Sequence, residues 1–436
     1  MSSFLETVLR SAWLSQLEQQ FPTPAFLYQR EQLEYDAKRI REALSAASSL
    51  YFASFCNSNP WLLRILKNQG FGMLASSPSE YRLAKAIGFP SWRIAVTGAG
   101  FSKDDLKELT GDRVELNLDS LDQLADALEV NARATLGIRL NPQFCESTDG
   151  KGLPLNSCLA KSSRTGIIPE ELPEAVRISK SRGQKLSSVH IYTGTNQLKA
   201  DLFHFTVQHL FDLVAPYEDI ESINIGGGFG FPYLEGEHPF PFRDLNECLR
   251  QNIARFEHQH GRTIKVVAEP GRSVIAACGA LVTKILHCKI RPNGDTFITT
   301  DTNLSNFPRP YIYGDEGKHK VSIVSASSRP TPHPGGAKVV VCGNALPSGD
   351  ILGVIENFAF VPRAGDYVVI HDTGAYGYAM SSRFSGRLRP AELLLSNENV
   401  QLIRKAEDDN LLLEGTGFGW RNSESPFTLD LERRVS

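Results

Sequence analysis

The stretch SINIGGGFGFPY, residues 222–233, places Gly226, Gly227 and Gly228 directly after a short apolar run. Residues 222–225 read as a strand. Glycines at its end let backbone N–H groups approach and hold a phosphate that a Cβ would obstruct. The same residues also suit a plain tight turn from strand to helix, and the spacing is not the G-x-G-x-x-G of a dinucleotide site.

Working outward, the run belongs to a rhythm. Upstream lie SLYFASF, RIAVTG, VELNL, ATLGIRL and SSVHIY, and downstream IKVVAEPG. Between them come helix-like stretches such as NPWLLRILKNQ, PSEYRLAKAIG, SLDQLADALEV and LFHFTVQHLFDLV. Strand alternating with helix over roughly 250 residues predicts a parallel α/β domain of the (β/α)8 TIM-like barrel kind. Beyond Cys278 the segments ALVTKILHCKI, DTFITTD, AKVVVCG, DYVVIHD and AELLLS predict an antiparallel β-domain, with SSRPTPHPGG forming a surface loop near residues 328–336. The division expected is therefore 28–275 for the barrel and 276–436 for the β-domain, with 1–27 as a helix and strand joining the latter.

Lys and Arg total 46 against 49 Asp and Glu, a net charge of −3, so no global field points to nucleic acid or an anionic membrane. A small molecule or a protein partner is expected instead. The seven cysteines, Cys56, Cys145, Cys158, Cys248, Cys278, Cys288 and Cys342, are odd in number and form no C-x-x-C pair, which suits free thiols in a reducing compartment. Residues 1–24 contain Glu6 and no uninterrupted apolar core, and no apolar run reaches the roughly 18 residues of a membrane span. A cytoplasmic protein is expected.

Two further motifs carry chemistry. AEPGR, residues 268–272, ends a predicted barrel strand, and active sites of barrels are built at the C-terminal strand ends. There Glu269 could bond a cationic ring nitrogen and Arg272 a phosphate or carboxylate, or the two could simply pair with each other. DTGAYGYAMSSRF supplies Tyr376, and RPYIYGD supplies Arg309 and Tyr313.

A barrel with GGGFG and EPGR, followed by a β-domain with RPxxY and GAY, resembles the fold type III pyridoxal phosphate-dependent decarboxylases. This is the ornithine, diaminopimelate and arginine decarboxylase group, which shares the alanine racemase-like fold. The resemblance runs from TPAFLY to RPAELLL. It implies that Gly226, Gly227, Gly228, Gly271, Arg272, Tyr376 and Thr195 bind the cofactor's phosphate end. It also implies that Glu269 bonds the pyridine nitrogen, and that Arg164, Arg309 and Tyr313 lie on the substrate side. The phosphate-side residues share no packing purpose evident in the sequence.

At the reactive end the chain departs from the family. The family's YAVKANSN aligns on FASFCNSN, which puts Phe55 at the lysine whose amine forms a Schiff base with the cofactor aldehyde. Leu74 falls at an aspartate, Tyr192 at a ring-stacking histidine, and Leu346 at a cysteine donated across a dimer interface. Asn57, Ser58 and Asn59 anchor the first alignment, and Ser348, Gly349 and Asp350 the last.

The reading these losses favour is a decarboxylase-like protein that keeps a phosphate cleft without the ordinary chemistry, as a pseudoenzyme or ligand-binding partner. The alternative is a repurposed enzyme acting on an amino acid or amine, including decarboxylation by an unusual mechanism. Pyridoxal phosphate bound non-covalently, another phosphorylated ligand, or none at all remain open. The resemblance further implies a homodimer.

Overall fold

The computed structural model describes residues 10–130, 135–143, 161, 163–397 and 399–416. Cys145, Cys158 and the first nine residues of the expected N-terminal helix lie outside the described residues. The chain forms two compact units: Gln29–Gly279 with Asp372–Ala379, and Met1–Tyr28 with Ala280–His371 and Met380–Ser436.

After a helix over Ser11–Gln20 comes β1 (Ala25–Gln29), a strand of the second unit. The next eight strands are β2 (Ser49–Ala53), β3 (Gly72–Ala75), β4 (Ile94–Gly98), β5 (Glu115–Leu118), β6 (Thr135–Arg139), β7 (Ser188–His190), β8 (Ser222–Asn224) and β9 (Lys265–Ala268). Each is parallel to the next, and β2 returns to β9 to close the barrel.

The helices between them begin where the sequence supplies a cap. Asn59 accepts from the Trp61 N–H with Pro60 at the first helical position, as its sequence predicts. Ser77 precedes Pro78 in the same way, and Ser102 with Asp105 forms a capping box.

The pleat decides what faces the barrel lumen. Successive side chains of a strand point to opposite faces, so Leu116 and Leu118 pack outward, fully buried, while Glu115 and Asn117 share the inner face. A Cβ on Gly137 of β6 would lie 2.5 Å from Asn117 Oδ1 and 3.1 Å from Ser188 Cβ, which places these strands' inner side chains together. Ser188 and His190 of β7 and Ser222 and Asn224 of β8 follow the same alternation.

The other unit holds β10 (Gly279–Ile290), β11 (Thr296–Thr300), β12 (Val321–Val324), β13 (Pro332–Cys342), β14 (Ile351–Phe360), β15 (Tyr367–His371), β16 (Ala391–Ser396) and β17 (Asn399–Arg404). With β1 they form one nine-stranded sheet. Its core gathers Leu14, Leu17, Leu27, Val282, Tyr367, Val369 and Leu393.

Two expectations need correction. The sheet is mixed, because β11 and β13 pair in parallel. The Pro-rich segment is also not a free loop: β13 starts at Pro332, which pairs with Phe360, and register shifts on either side of Ala337 absorb its irregularity. Such a segment lies on one partner only, where prolines are tolerated because no second ladder needs their N–H.

Candidate active site

The cleft at the C-terminal ends of the barrel strands, a cavity of about 40 Å³, is lined by residues of the barrel unit alone. Phe55, Tyr192, Gly227, Glu269, Arg272 and Tyr376 all face it. Thr195, Gly228, Gly271 and Leu74 line it as well. Segments far apart in sequence thus converge on one cleft, and no lysine is among its lining residues.

Phe55 sits in a single 3₁₀ turn, Ser54–Cys56, that follows β2. The turn is pinned on three sides. Ser54 Oγ donates to the Leu74 carbonyl at 2.8 Å, Asn57 Nδ2 to the Gly374 carbonyl at 3.0 Å, and the Tyr376 N–H to the Cys56 carbonyl at 2.8 Å. The Phe55 ring is 41% exposed and stands 6.3 Å from the Tyr376 ring, centroid to centroid, at the cleft wall. It lines the cleft, as does the buried Leu74.

Arg272 is the site's buried cation. Its guanidinium lies 4.5 Å from the Tyr376 ring centroid and 5.6 Å from that of Tyr233, and its Nη1 donates to Tyr233 Oη at 3.0 Å. Burial works against its charge, but the neighbouring Tyr233, Tyr376 and Cys56 more than offset this and move its pKa up. The Cys56 thiol beneath is pushed up to about 11, chiefly by burial.

Glu269 is held on both oxygens. His190 Nε2 lies 3.1 Å from Oε2, and Asn224 Nδ2 donates to Oε1 at 2.8 Å. The local Glu269–Arg272 pair considered from the sequence does not form, since each has other partners. Also lining the cleft, Tyr192 Oη is 2.7 Å from Thr195 Oγ1.

The glycines have a packing purpose that the sequence did not reveal. At Gly226, with φ +66°, a Cβ would come within 2.1 Å of the Ile191 carbonyl oxygen, and at Gly228, φ +99°, within 2.1 Å of that of Gly194. The Gly226 N–H is already spent on Asn224 Oδ1 at 2.9 Å, so Gly227 and Gly228 are the pair that faces the cleft.

The remaining candidates stand apart from the cleft lining. Arg164 is exposed and lies near Asp119, whose carboxylate accepts from the Gly166 N–H at 3.1 Å. Arg309 and Tyr313 belong to the strand-rich unit, where Arg309 is buried, its Nε donates to His319 Nε2 at 2.9 Å, and its guanidinium lies over the Tyr313 ring. Leu346 is in that unit too and is 94% exposed.

Sequence reading missed Glu115, His190 and Asn224. Their only signal was polar residues at alternate positions of short strands otherwise read as apolar. Among the described residues, no group of His, Cys, Asp and Glu has the arrangement of a metal site, and no helix is long and apolar enough to cross a membrane.

A parallel barrel with an acid at the end of β9 and a buried arginine on the next turn defines a cofactor-binding barrel. Residues 30–276 match the family described as pyridoxal-dependent decarboxylase, pyridoxal binding domain, and the chain belongs to that family. It is 28% identical over 424 residues to the diaminopimelate decarboxylase of Escherichia coli (strain K12), covering 94% of this chain and 97% of the relative. The diaminopimelate decarboxylase of Aquifex aeolicus (strain VF5) is 29% identical, with 94% and 95% covered. Among solved structures, the Helicobacter pylori diaminopimelate decarboxylase complexed with L-lysine superposes with a TM-score of 0.79 at 25% identity, covering 92% of this chain and 98% of that one.

These likenesses overturn the expectation of a pseudoenzyme or bare ligand-binding partner. The match to named decarboxylases covers 94% of this chain and 97% of the Escherichia coli relative.

Proposed function

We propose that the protein is a pyridoxal phosphate-dependent decarboxylase of an amino acid of the diaminopimelate type, working with a non-covalently held cofactor because Phe55 stands at the position of the family's lysine. The observation that carries this reading is Glu269: a buried carboxylate at the mouth of the barrel, fixed by His190 and Asn224 and facing a cleft whose other end holds Arg272.

The residues fit the cofactor at its ring and phosphate ends. Arg272, braced by Tyr233 and Tyr376, and the backbone of Gly227 and Gly228 suit a phosphate. Glu269 suits a protonated ring nitrogen, and Tyr192 offers an aromatic face. When bound, the cofactor supplies an electron-withdrawing ring that accepts the electron pair left by a departing carboxylate.

The chain's own residues do the rest. Glu269 would hold a proton on the ring nitrogen of a bound cofactor, which would keep that ring electron-poor. Phe55, Ala53 and Leu74 form an apolar wall. A carboxylate set against such a wall loses hydration, and its departure as neutral carbon dioxide is favoured over its persistence as an anion. The Tyr192–Thr195 hydroxyl pair holds an exchangeable proton at the cleft wall. Arg164, Arg309 and Tyr313 take substrate-side roles in this reading by family resemblance, as does a cytoplasmic homodimer, which light scattering would weigh directly.

The test is carbon dioxide release from purified protein given pyridoxal phosphate and, in turn, diaminopimelate, lysine, ornithine and arginine. Diaminopimelate comes first because relatives carry that name. Release that requires both cofactor and amino acid supports the reading. Saturable cofactor binding with no release from any of the four rules out decarboxylation of these substrates.

A further inference from the structure

Glu115, the first residue of β5, lies on the lumen face of the barrel, far in sequence from every motif that built the cleft. The Asn224 carboxamide connects it to Glu269. Asn224 Nδ2 donates to Glu115 Oε1 at 3.2 Å and to Glu269 Oε1 at 2.8 Å, while its Oδ1 accepts the Gly226 N–H at 2.9 Å. That last bond fixes which end of the amide points at the two acids. Two carboxyl groups therefore share one carboxamide.

The surrounding groups come from most of the barrel. Tyr51 of β2 hydrogen-bonds to Glu115, and Arg93, just ahead of β4, bears on Tyr51. Asn117 of β5 bonds to Glu115 and donates to Thr97 of β4 at 3.0 Å. His190 of β7 takes the other oxygen of Glu269 at 3.1 Å, and Asp119, with Arg139 of β6 beside it, faces His190. His190 Nδ1 is buried without a protein partner among the described residues.

We propose that Glu115 is a positioning residue of the active site: through Asn224 it fixes the orientation of Glu269 and, by gaining or losing one proton, sets the charge that stands behind Glu269 when it meets a cofactor's ring nitrogen. This rests on the function proposed above. Burial, and then the like charge of Glu269, push the Glu115 carboxyl up to about 7. With Glu115 neutral, its carboxyl adds no charge behind the Asn224 amide. With Glu115 ionised, a second negative charge behind the amide favours a protonated ring nitrogen.

One test needs no cofactor. Thermal unfolding of the cofactor-free protein is followed from roughly pH 5 to pH 8.5 for the wild type, Glu115→Gln and Glu269→Gln. An acid whose folded pKa is raised contributes stability at low pH that is lost as pH rises through the folded value. The wild-type Tm should therefore fall through neutrality relative to that of Glu115→Gln, and in Glu269→Gln the fall should move to lower pH because the like charge is gone. Parallel curves for the wild type and Glu115→Gln overturn the titration, and an unmoved fall in Glu269→Gln overturns the coupling.

If Glu115→Gln does not fold, infrared difference spectra of the wild type across the same range decide: a protonated-carboxyl band lost near neutral pH is required, and its absence refutes the proposal. A second arm measures pyridoxal phosphate affinity against pH, where Glu115→Gln should remove an inflection near neutrality that Glu115→Asp retains, shifted. An inflection unchanged in Glu115→Gln counts against the link to the ring nitrogen. Failure of the wild type to bind cofactor would sink the proposed function and the ring-nitrogen role, but the cofactor-free curves would still report on Glu115.

Discussion

The Tyr376 N–H donates to the Cys56 carbonyl at 2.8 Å, and this bond joins residues 372–379 to the turn that presents Phe55. Tyr376 takes up φ +58°, a backbone conformation uncommon for a side chain of its size, and in it the ring lies against the Arg272 guanidinium. Arg272 and the turn that presents Phe55 are thus mechanically one piece. A change at Tyr376 should disturb both.

Replacing Phe55 with lysine places an amine in the cleft. Phe55→Lys incubated with pyridoxal phosphate and borohydride should gain the cofactor's mass on residue 55, while the wild type gains none. Attachment should be partial, because Leu74 still stands beside it. Stoichiometric trapping on a wild-type residue would count against a non-covalent cofactor.

Glu269→Gln keeps shape and hydrogen bonding but removes the charge opposite the ring nitrogen. The expected effect is a fall in kcat of about 100-fold, the size of loss seen when one oriented electrostatic contact is removed. Cofactor affinity should fall as well, by less than kcat. Steady-state rates beside a fluorescence titration of cofactor binding separate the two.

Arg272→Met should act the other way, weakening cofactor affinity while leaving the chemistry of bound cofactor largely intact. Loss of a hydrogen bond to a charged group costs about 1.5–3 kcal/mol, or roughly 10- to 100-fold in affinity. An affinity for pyridoxal phosphate equal to the wild type's would remove Arg272 from the phosphate end.

In the strand-rich unit Glu407 gives an acid-side prediction. Burial raises its pKa, but hydrogen bonds from Arg383 and Arg389 outweigh this and bring it down to about 2. The stability it contributes is present above the ordinary carboxylate range and disappears as pH falls from there toward 2. Glu407→Gln should lower Tm near neutral pH, and the gap from the wild type should close as the solution is acidified.

The barrel was legible because its strands and helices differ in period and its helix starts carry caps such as Asn59–Pro60 and Ser77–Pro78. The meeting of Gly227, Arg272 and Tyr376 in one cleft was legible because they belong to an ordered series of motifs. Glu115 and Asn224 were not, because strands of three or four residues are too short for alternation to show which face is inward. The parallel pairing of β11 with β13 was hidden for another reason: strand patterning tells which residues are extended, not which strand lies alongside or in what direction.

The barrel unit is assembled from two stretches of chain, Gln29–Gly279 and Asp372–Ala379, separated by most of the strand-rich unit. On a ribosome, the first stretch emerges about a hundred residues before Tyr376 does. Through that interval Arg272 has Tyr233 but not the Tyr376 ring, and the Cys56 carbonyl lacks the Tyr376 N–H. A fragment ending near Gly279 would keep all eight barrel strands and still lack one wall of its own cleft.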